Sequence, residues 1–304
     1  RRRAFSTTQM SSEDAAALAR PSSARNSARR KLNEEDVEEI EDTIAALVNP
    51  RATMTAKFEA ANQLCHLARP RPNFHMLVAK MEKAVRPLVS MLRDTSSVSG
   101  QKIAATTLAR LAVVDENQHQ IANQGGIDVL IMQVRQGNAI VRERCASALC
   151  ELGEEAALRM PIAESGGVNA LIQLLDKGSP AARVHATAAL GRLAMNDRCQ
   201  VLIKQRDGIG PLVEVLKIGS DTAKEAAANA IVHLVRGNHE NEREVVEKGA
   251  VPLLLDMVAS TNMTSGAERP AGSTFIFSAR QATAPKRMCA GRQRWWRQVE
   301  VGRC

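Results

Sequence analysis

Few residues in this chain have the type and spacing that chemistry needs. Asp207-Gly208-Ile209-Gly210 contains a Gly-x-Gly, the opening of a phosphate-binding loop, but a third glycine is missing and the segment follows a helical run rather than a strand. It reads as a turn. Six cysteines stand at 65, 145, 150, 199, 289 and 304 without a Cys-x-x-Cys pair, so no zinc site is indicated. Cys145 and Cys150 have no histidine or acid at helical spacing that would make either a nucleophile. Cys65 and Cys145 sit in apolar runs, where a free thiol acts as a small hydrophobe in a reducing compartment. The six histidines are scattered, and His66 and His233 fall at equivalent places too far apart in the chain to share a metal. No pair of titratable groups is placed for acid–base work. The sequence therefore predicts no catalytic residue, no metal and no cofactor.

What the sequence does contain is periodicity. Gly126, Gly167, Gly208 and Gly249 stand 41 residues apart, and Leu130, Leu171, Leu212 and Leu253 keep the same step. Leu149, Leu190 and Ile231 form a third series, extended toward the N-terminus by Leu108 and Leu64. A period of this length belongs to stacked helical units, none of which can bury its apolar face alone. The apolar residues are mainly Leu, Val, Ile and Ala, with five Phe, two Trp and no Tyr, which suits helix-on-helix packing.

One unit shows how the elements are specified. From Gly167, the residues Val168, Leu171, Ile172, Leu174 and Leu175 fall at helical spacing until Gly178. Pro180 permits a new start, and Val184, Ala186, Ala189, Leu190, Leu193 and Ala194 draw the stripe of a longer helix ending near Asn196. A shorter run, Cys199 to Ile203, follows before Gly208 restarts the cycle. Pro87, Pro211 and Pro252 precede the leading Leu of their helices, in the first turn, where a missing N–H costs nothing. Small residues stand four places before each long-helix anchor, at Ala60, Ala104, Cys145, Ala186 and Ala227, and let adjacent long helices approach. Leu67, Leu111, Leu152, Leu193 and Leu234 are expected to fill the layer behind.

The segments Glu164-Ser165-Gly166-Gly167-Val168-Asn169-Ala170-Leu171-Ile172-Gln173-Leu174-Leu175 and Glu247-Lys248-Gly249-Ala250-Val251-Pro252-Leu253-Leu254-Leu255 resemble the start of armadillo repeats. Ala186-Thr187-Ala188-Ala189-Leu190-Gly191-Arg192-Leu193-Ala194 resembles their third helix. HEAT repeats are the nearest rival, and the glycine restart with a third short helix favours armadillo. The resemblance covers about residues 36–258. It implies an all-α fold, a right-handed α-α superhelix whose third helices line a concave groove used for protein partners.

On that reading the positions two before and two after each anchor line the groove. They are Asn62 and His66, Thr106 and Arg110, Ser147 and Glu151, Ala188 and Arg192, and Asn229 and His233. Importin-α-like adaptors carry Trp and Asn at these two places and grip an extended basic peptide. This chain has no Trp there and no Asn at the second place, so that basic-peptide pattern does not carry over. A ladder of His, Arg and Glu points instead to a partner with both charges, or to an acidic element meeting Arg110 and Arg192.

The charge distribution divides the chain. Residues 1–32 carry eight Lys/Arg against two acids, and residues 259–304 the same, so of the net +8 the middle holds −4. The basic excess lies in the ends rather than on the repeats, which argues against nucleic acid as a partner of the ordered part. The expected organisation is a disordered basic leader at 1–32, an armadillo solenoid of about five repeats at 33–258, its first and last copies degenerate or incomplete, and a disordered basic tail at 259–304. The leader resembles an organellar transit peptide in its Arg and Ser, but Glu13 and Asp14 interrupt it. The acidic cluster Glu34, Glu35, Asp36, Glu38, Glu39, Glu41 and Asp42 suits a helix N-terminus or a solvated cap. In the tail, Trp295-Trp296 sits among Arg292, Arg294 and Arg297, an aromatic and basic patch suited to a membrane surface or to bases, and Asn262-Met263-Thr264 matches a glycosylation acceptor. No apolar run is long enough to cross a bilayer, so a soluble protein is expected; with its thiols read as reduced, the expected location is intracellular, cytoplasmic or nuclear or both.

Two functional readings follow. One is a non-catalytic scaffold or adaptor that binds an extended peptide or helix along the groove. The other is the substrate-recognition segment of a larger regulatory protein, such as a ubiquitin-ligase component.

Overall fold

The computed structural model describes residues 34–67 and 83–263, with backbone alone at 34–37 and 258–263. The expected leader, most of the tail, Cys289, Cys304 and the Trp295-Trp296 patch lie outside these residues. Every regular element among the described residues is an α-helix. α1 is Glu34–Val48 and α2 Met54–Leu67; α3, Val85–Arg93, and α4, Val98–Leu111, follow. Then come three-helix cycles: α5 Asp115–Asn123, α6 Gly126–Gln136 and α7 Ala139–Leu152; α8 Ala156–Glu164, α9 Gly167–Lys177 and α10 Pro180–Leu193. The next cycle is α11 Asp197–Gln205, α12 Ile209–Ile218 and α13 Asp221–Val235, and the last described helices are α14 His239–Glu247 and α15 Ala250–Met263. α15 runs five residues past the boundary expected at 258.

Like helices stack on like. The long third helices α2, α4, α7, α10 and α13 pack side by side in one row, and α3, α6, α9, α12 and α15 form a second row behind it. One continuous apolar core runs through the stack from Ile40 to Ala250. The anchors Leu64, Leu108, Leu149, Leu190 and Ile231 are all buried, as are Ala60, Ala104, Cys145, Ala186 and Ala227. Leu111, Leu152, Leu193 and Leu234 are buried behind them, while Leu67 is only partly covered. Each fully buried Leu contributes about 1.5–3 kcal/mol, so stability is spread over many equivalent layers. One close approach between third helices falls one residue beyond the anchor. A Cβ on Gly191 would stand 3.2 Å from Ala230 Cα.

The strict 41-residue step has a slip in it. Successive first helices begin at Asp115, Asp197 and His239, with Ala156 between the first two, so the last interval is 42 rather than 41. Gly237, with φ +74°, stands in the loop before α14, where the register shifts. The glycine series is thus not one structural position. Gly125 (φ +73°), Gly166 (φ +85°), Asp207 (φ +54°) and Gly249 (φ +77°) make the left-handed turn before the second helix. Gly126, Gly167, Gly208 and Ala250 come next, buried at the turn into the helix. Gly249 therefore corresponds to Gly166, not to Gly167, and Leu254 rather than Leu253 corresponds to Leu171.

Asp207 is the one non-glycine residue with positive φ among the described residues. The Cβ of an L-residue crowds the carbonyl in this conformation at a cost of about 1–2 kcal/mol, which glycine avoids at some entropic expense in the unfolded chain. Asp207→Gly is expected to stabilise the array by about 0.5–1 kcal/mol. A raised midpoint in urea denaturation with unchanged slope checks this.

Candidate functional site

The ladder of candidate groove residues lies along the row of third helices. In an α-helix, side chains four apart share a face, so each pair flanking an anchor projects from the same side of its helix. Asn62, His66 and Asn229 are exposed, and Thr106, Arg110, Ser147, Glu151, Ala188, Arg192 and His233 are half-buried. Small or uncharged side chains therefore occupy the position before the anchor in every layer.

The charged members of the ladder have duties inside the fold. Arg192 reaches back to α7, where Nη1 donates to the Cys150 carbonyl and stands 3.4 Å from Glu151 Oε1, and Nη2 lies 2.8 Å from Glu154 Oε1. Cys150 is among the last four residues of α7, whose carbonyls have no acceptor role within the helix. Arg192 thus caps one third helix from the next. Arg110 repeats the carbonyl contact two pairs earlier: its Nη1 donates to the Cys65 carbonyl near the end of α2 and lies 3.0 Å from Cys65 Sγ. Both arginines, expected to meet a partner of mixed charge or an acidic element, are thus engaged within the fold. Each is drawn toward the orphan carbonyls of a helix C-terminus, which attract cations.

His233 differs from its counterpart His66 in burial. It is half-buried, its Nδ1 has no hydrogen-bond partner, and its carbonyl accepts from Gln200 Nε2 at 2.8 Å. Burial, with the positive charges of Arg236 and Arg159, holds its imidazole below the ordinary range. His66 remains exposed.

The four described cysteines are buried and free. Burial raises the Cys145 thiol strongly and pushes Cys150 up to about 12, Arg192 opposing the effect, while Cys199 rises to about 11. Nucleophiles need lowered values, so these thiols are packing groups. Among the described residues no cluster of three His, Cys, Asp or Glu could hold a metal ion, and no helix is long and apolar enough to cross a membrane. The Gly-x-Gly at 208–210 is the entry to α12, where the Gly208 N–H donates to the Ile203 carbonyl at 2.9 Å.

Two further polar series hold the ends of the third helices, and the expected site omitted both. Ser97, Asn138, Ser179 and Ser220 cap the third helices α4, α7, α10 and α13: their oxygens accept from the N–H of Gly100, Val141, Ala182 and Ala223 at 3.1 to 3.3 Å. At the opposite ends, first-helix side chains close the turns. Gln118 Nε2 donates to the Ala112 carbonyl at 3.0 Å, Arg159 Nε to that of Gly153 at 2.9 Å, and Gln200 Nε2 to that of Ala194 at 3.1 Å. Gln118, Arg159 and Gln200 step by 41, as do the caps, so the signal was in the sequence.

Residues 156–195, the three helices α8, α9 and α10, match the family model of the armadillo/beta-catenin-like repeat. The matched frame begins at the first helix, whereas the glycine restart begins at the second; the period is the same. This architecture is the armadillo repeat. A designed armadillo repeat protein superposes with a TM-score of 0.68 at 21% identity, over 80% of this chain and 99% of the other. A second, computationally designed for modular peptide recognition, gives 0.65 at 20% identity over 82% and 98%. A third, a designed armadillo repeat protein in complex with the peptide (KR)4, gives 0.66 at 22% identity over 80% and 99%. No curated protein matches the sequence. The armadillo stack here is thus shared in fold with proteins that differ from it at most positions.

Proposed function

We propose that this armadillo array is a non-catalytic scaffold that holds an extended peptide along the face of its third helices. The observation that carries the reading is the row itself: five third helices side by side, each offering a short polar or small side chain before its anchor. Designed armadillo proteins of the same fold are described as recognising peptides, and one is bound to (KR)4. Their basic ligand does not transfer, since Glu151 and Glu154 lie against Arg192. With Arg110 turned to the Cys65 carbonyl as well, the polar groups left on this face are amides and hydroxyls: Asn62 at one end, Asn229 at the other, and between them Ser147 and Thr106, whose hydroxyl donates to the Lys102 carbonyl at 2.7 Å and keeps its oxygen as an acceptor. Such groups hydrogen-bond a peptide main chain and leave side-chain selection to the spaces between helices.

Peptides selected from a random display library against the purified protein test this. Asn62→Ala and Asn229→Ala, both at exposed positions, are expected to weaken the selected peptides by roughly fivefold each, the worth of one hydrogen bond of about 1 kcal/mol. Peptides that bind both variants as well as the parent would remove the third-helix face from consideration.

A further inference from the structure

A second surface of the array has the chemistry of a side-chain receptor. Away from the third-helix ladder, a cleft opens between the end of α9, the length of α12 and the starts of α10 and α13. Its floor is apolar and buried, made by Leu175, Val215 and Ala223. Pro180, Pro211 and Ile218 form the rim, and Ile218, at 64% exposure, is the most exposed of the large hydrophobic side chains among the described residues. Covering Ile218 at the mouth of the cleft would remove its apolar surface from water.

The polar groups in the cleft define what fits. Arg183 is anchored by Nη2, which donates to the Asp176 carbonyl at 2.9 Å, while its Nε is buried without a hydrogen-bond partner. Its guanidinium is thus fixed at the wall with one face of the cleft beside it. The Asp176 side chain is exposed, and the Glu214 carboxylate stands 3.9 Å from Lys217 Nζ. An apolar floor, a fixed guanidinium and an exposed carboxylate together suit a flat aromatic ring that carries an N–H donor and is followed by a cation. The ring lies over the aliphatic floor and beside the guanidinium, and the donor or the cation meets Asp176. Indole flanked by arginine has this chemistry.

The chain holds two tryptophans, adjacent, in Arg294-Trp295-Trp296-Arg297. We infer that this segment docks in the cleft between α9 and α12, with a tryptophan on Leu175, Val215 and Ile218 and a neighbouring arginine at Asp176. Chain length permits it. About 30 residues separate Met263 from Trp295 and can span on the order of 100 Å, whereas the cleft lies within a few helix layers, each about 10 Å thick, of α15. The contact is independent of the third-helix face and leaves that face open.

The sequence makes the test direct, because with no Tyr and only these two Trp the intrinsic emission of the full chain reports on this segment alone. In the 304-residue chain the emission is expected to be blue-shifted, and acrylamide quenching severalfold weaker, relative to a synthetic peptide of residues 292–299. Ile218→Glu and Asp176→Lys, both on exposed side chains, are expected to return emission and quenching to the peptide values with unchanged helical circular dichroism. Emission in the parent protein equal to that of the free peptide overturns the inference, as does shielding that survives Ile218→Glu. Shielding that falls on dilution assigns the tail to a second copy and overturns the intramolecular contact. Shielding lost in the Asn62→Ala and Asn229→Ala pair, and kept in Ile218→Glu, would place the segment on the third-helix face and likewise overturn it.

Discussion

Leu190→Asp should abolish cooperative folding of the array. Leu190 is fully buried in α10, the helix that packs against both α7 and α13 at the middle of the stack. Removing the isobutyl group alone costs about 2–5 kcal/mol. A carboxylate in its place adds an unpaired buried charge, a further several kcal/mol even after the group neutralises by taking up a proton. The sum rivals the 5–15 kcal/mol that typically holds a domain together. Because neighbouring units are coupled mainly to each other, the failure is expected to split the stack at its centre and then spread outward. Loss of most helical circular dichroism at 25 °C, or a melting transition too broad to fit as two-state, is the expected result. A melting midpoint equal to that of the parent would contradict the stacked-layer architecture itself.

The sequence reveals such central residues because burial in a repeat is written once per layer. Leu64, Leu108, Leu149, Leu190 and Ile231 each face the same environment, so chance agreement is improbable and the anchor series, the small residues before it and the helix boundaries are all legible. The slip between the last two cycles was hidden by an accident of composition. Gly249 sits 41 residues from Gly208, but the turn requires its left-handed backbone conformation at that place, and Ala250 then takes the position held by Gly208. Identity of residue type masked a difference of backbone role. Ser97, Asn138, Ser179 and Ser220 were equally periodic, yet a polar residue in a loop looks solvated until the N–H groups that it accepts from are in view. The groove ladder was legible as a set of positions and not as a set of free charges. Spacing tells which way Arg110 and Arg192 point, whereas only packing tells that the end of the preceding helix lies within their reach.

That reach makes Arg192→Glu the second change with a large expected effect, and its consequence is structural before it is functional. On the view that the side chain waits for an acidic partner, reversing its charge would leave the fold intact and lower binding alone. The contacts predict otherwise. The Cys150 carbonyl would lose its donor at a half-buried place, and the introduced carboxylate would face Glu151 and Glu154, putting three like charges where one guanidinium now stands against two. A hydrogen bond to a charged group contributes about 1.5–3 kcal/mol, and since Arg192 and Glu154 retain some solvent access the lower part of that range applies to each contact. A destabilisation of about 2–4 kcal/mol is expected, well beyond the change of at most about 0.5 kcal/mol typical of a surface substitution. Arg192→Lys should recover only part of it, because an ammonium cannot serve a carbonyl and two carboxylates in the fork geometry of guanidinium. Urea denaturation of the three proteins, with a double-mutant cycle to Glu154→Gln, measures the coupling directly. A stability change under about 0.5 kcal/mol for Arg192→Glu would show that the arginine is held there only incidentally, and would return it to the set of side chains available to a partner.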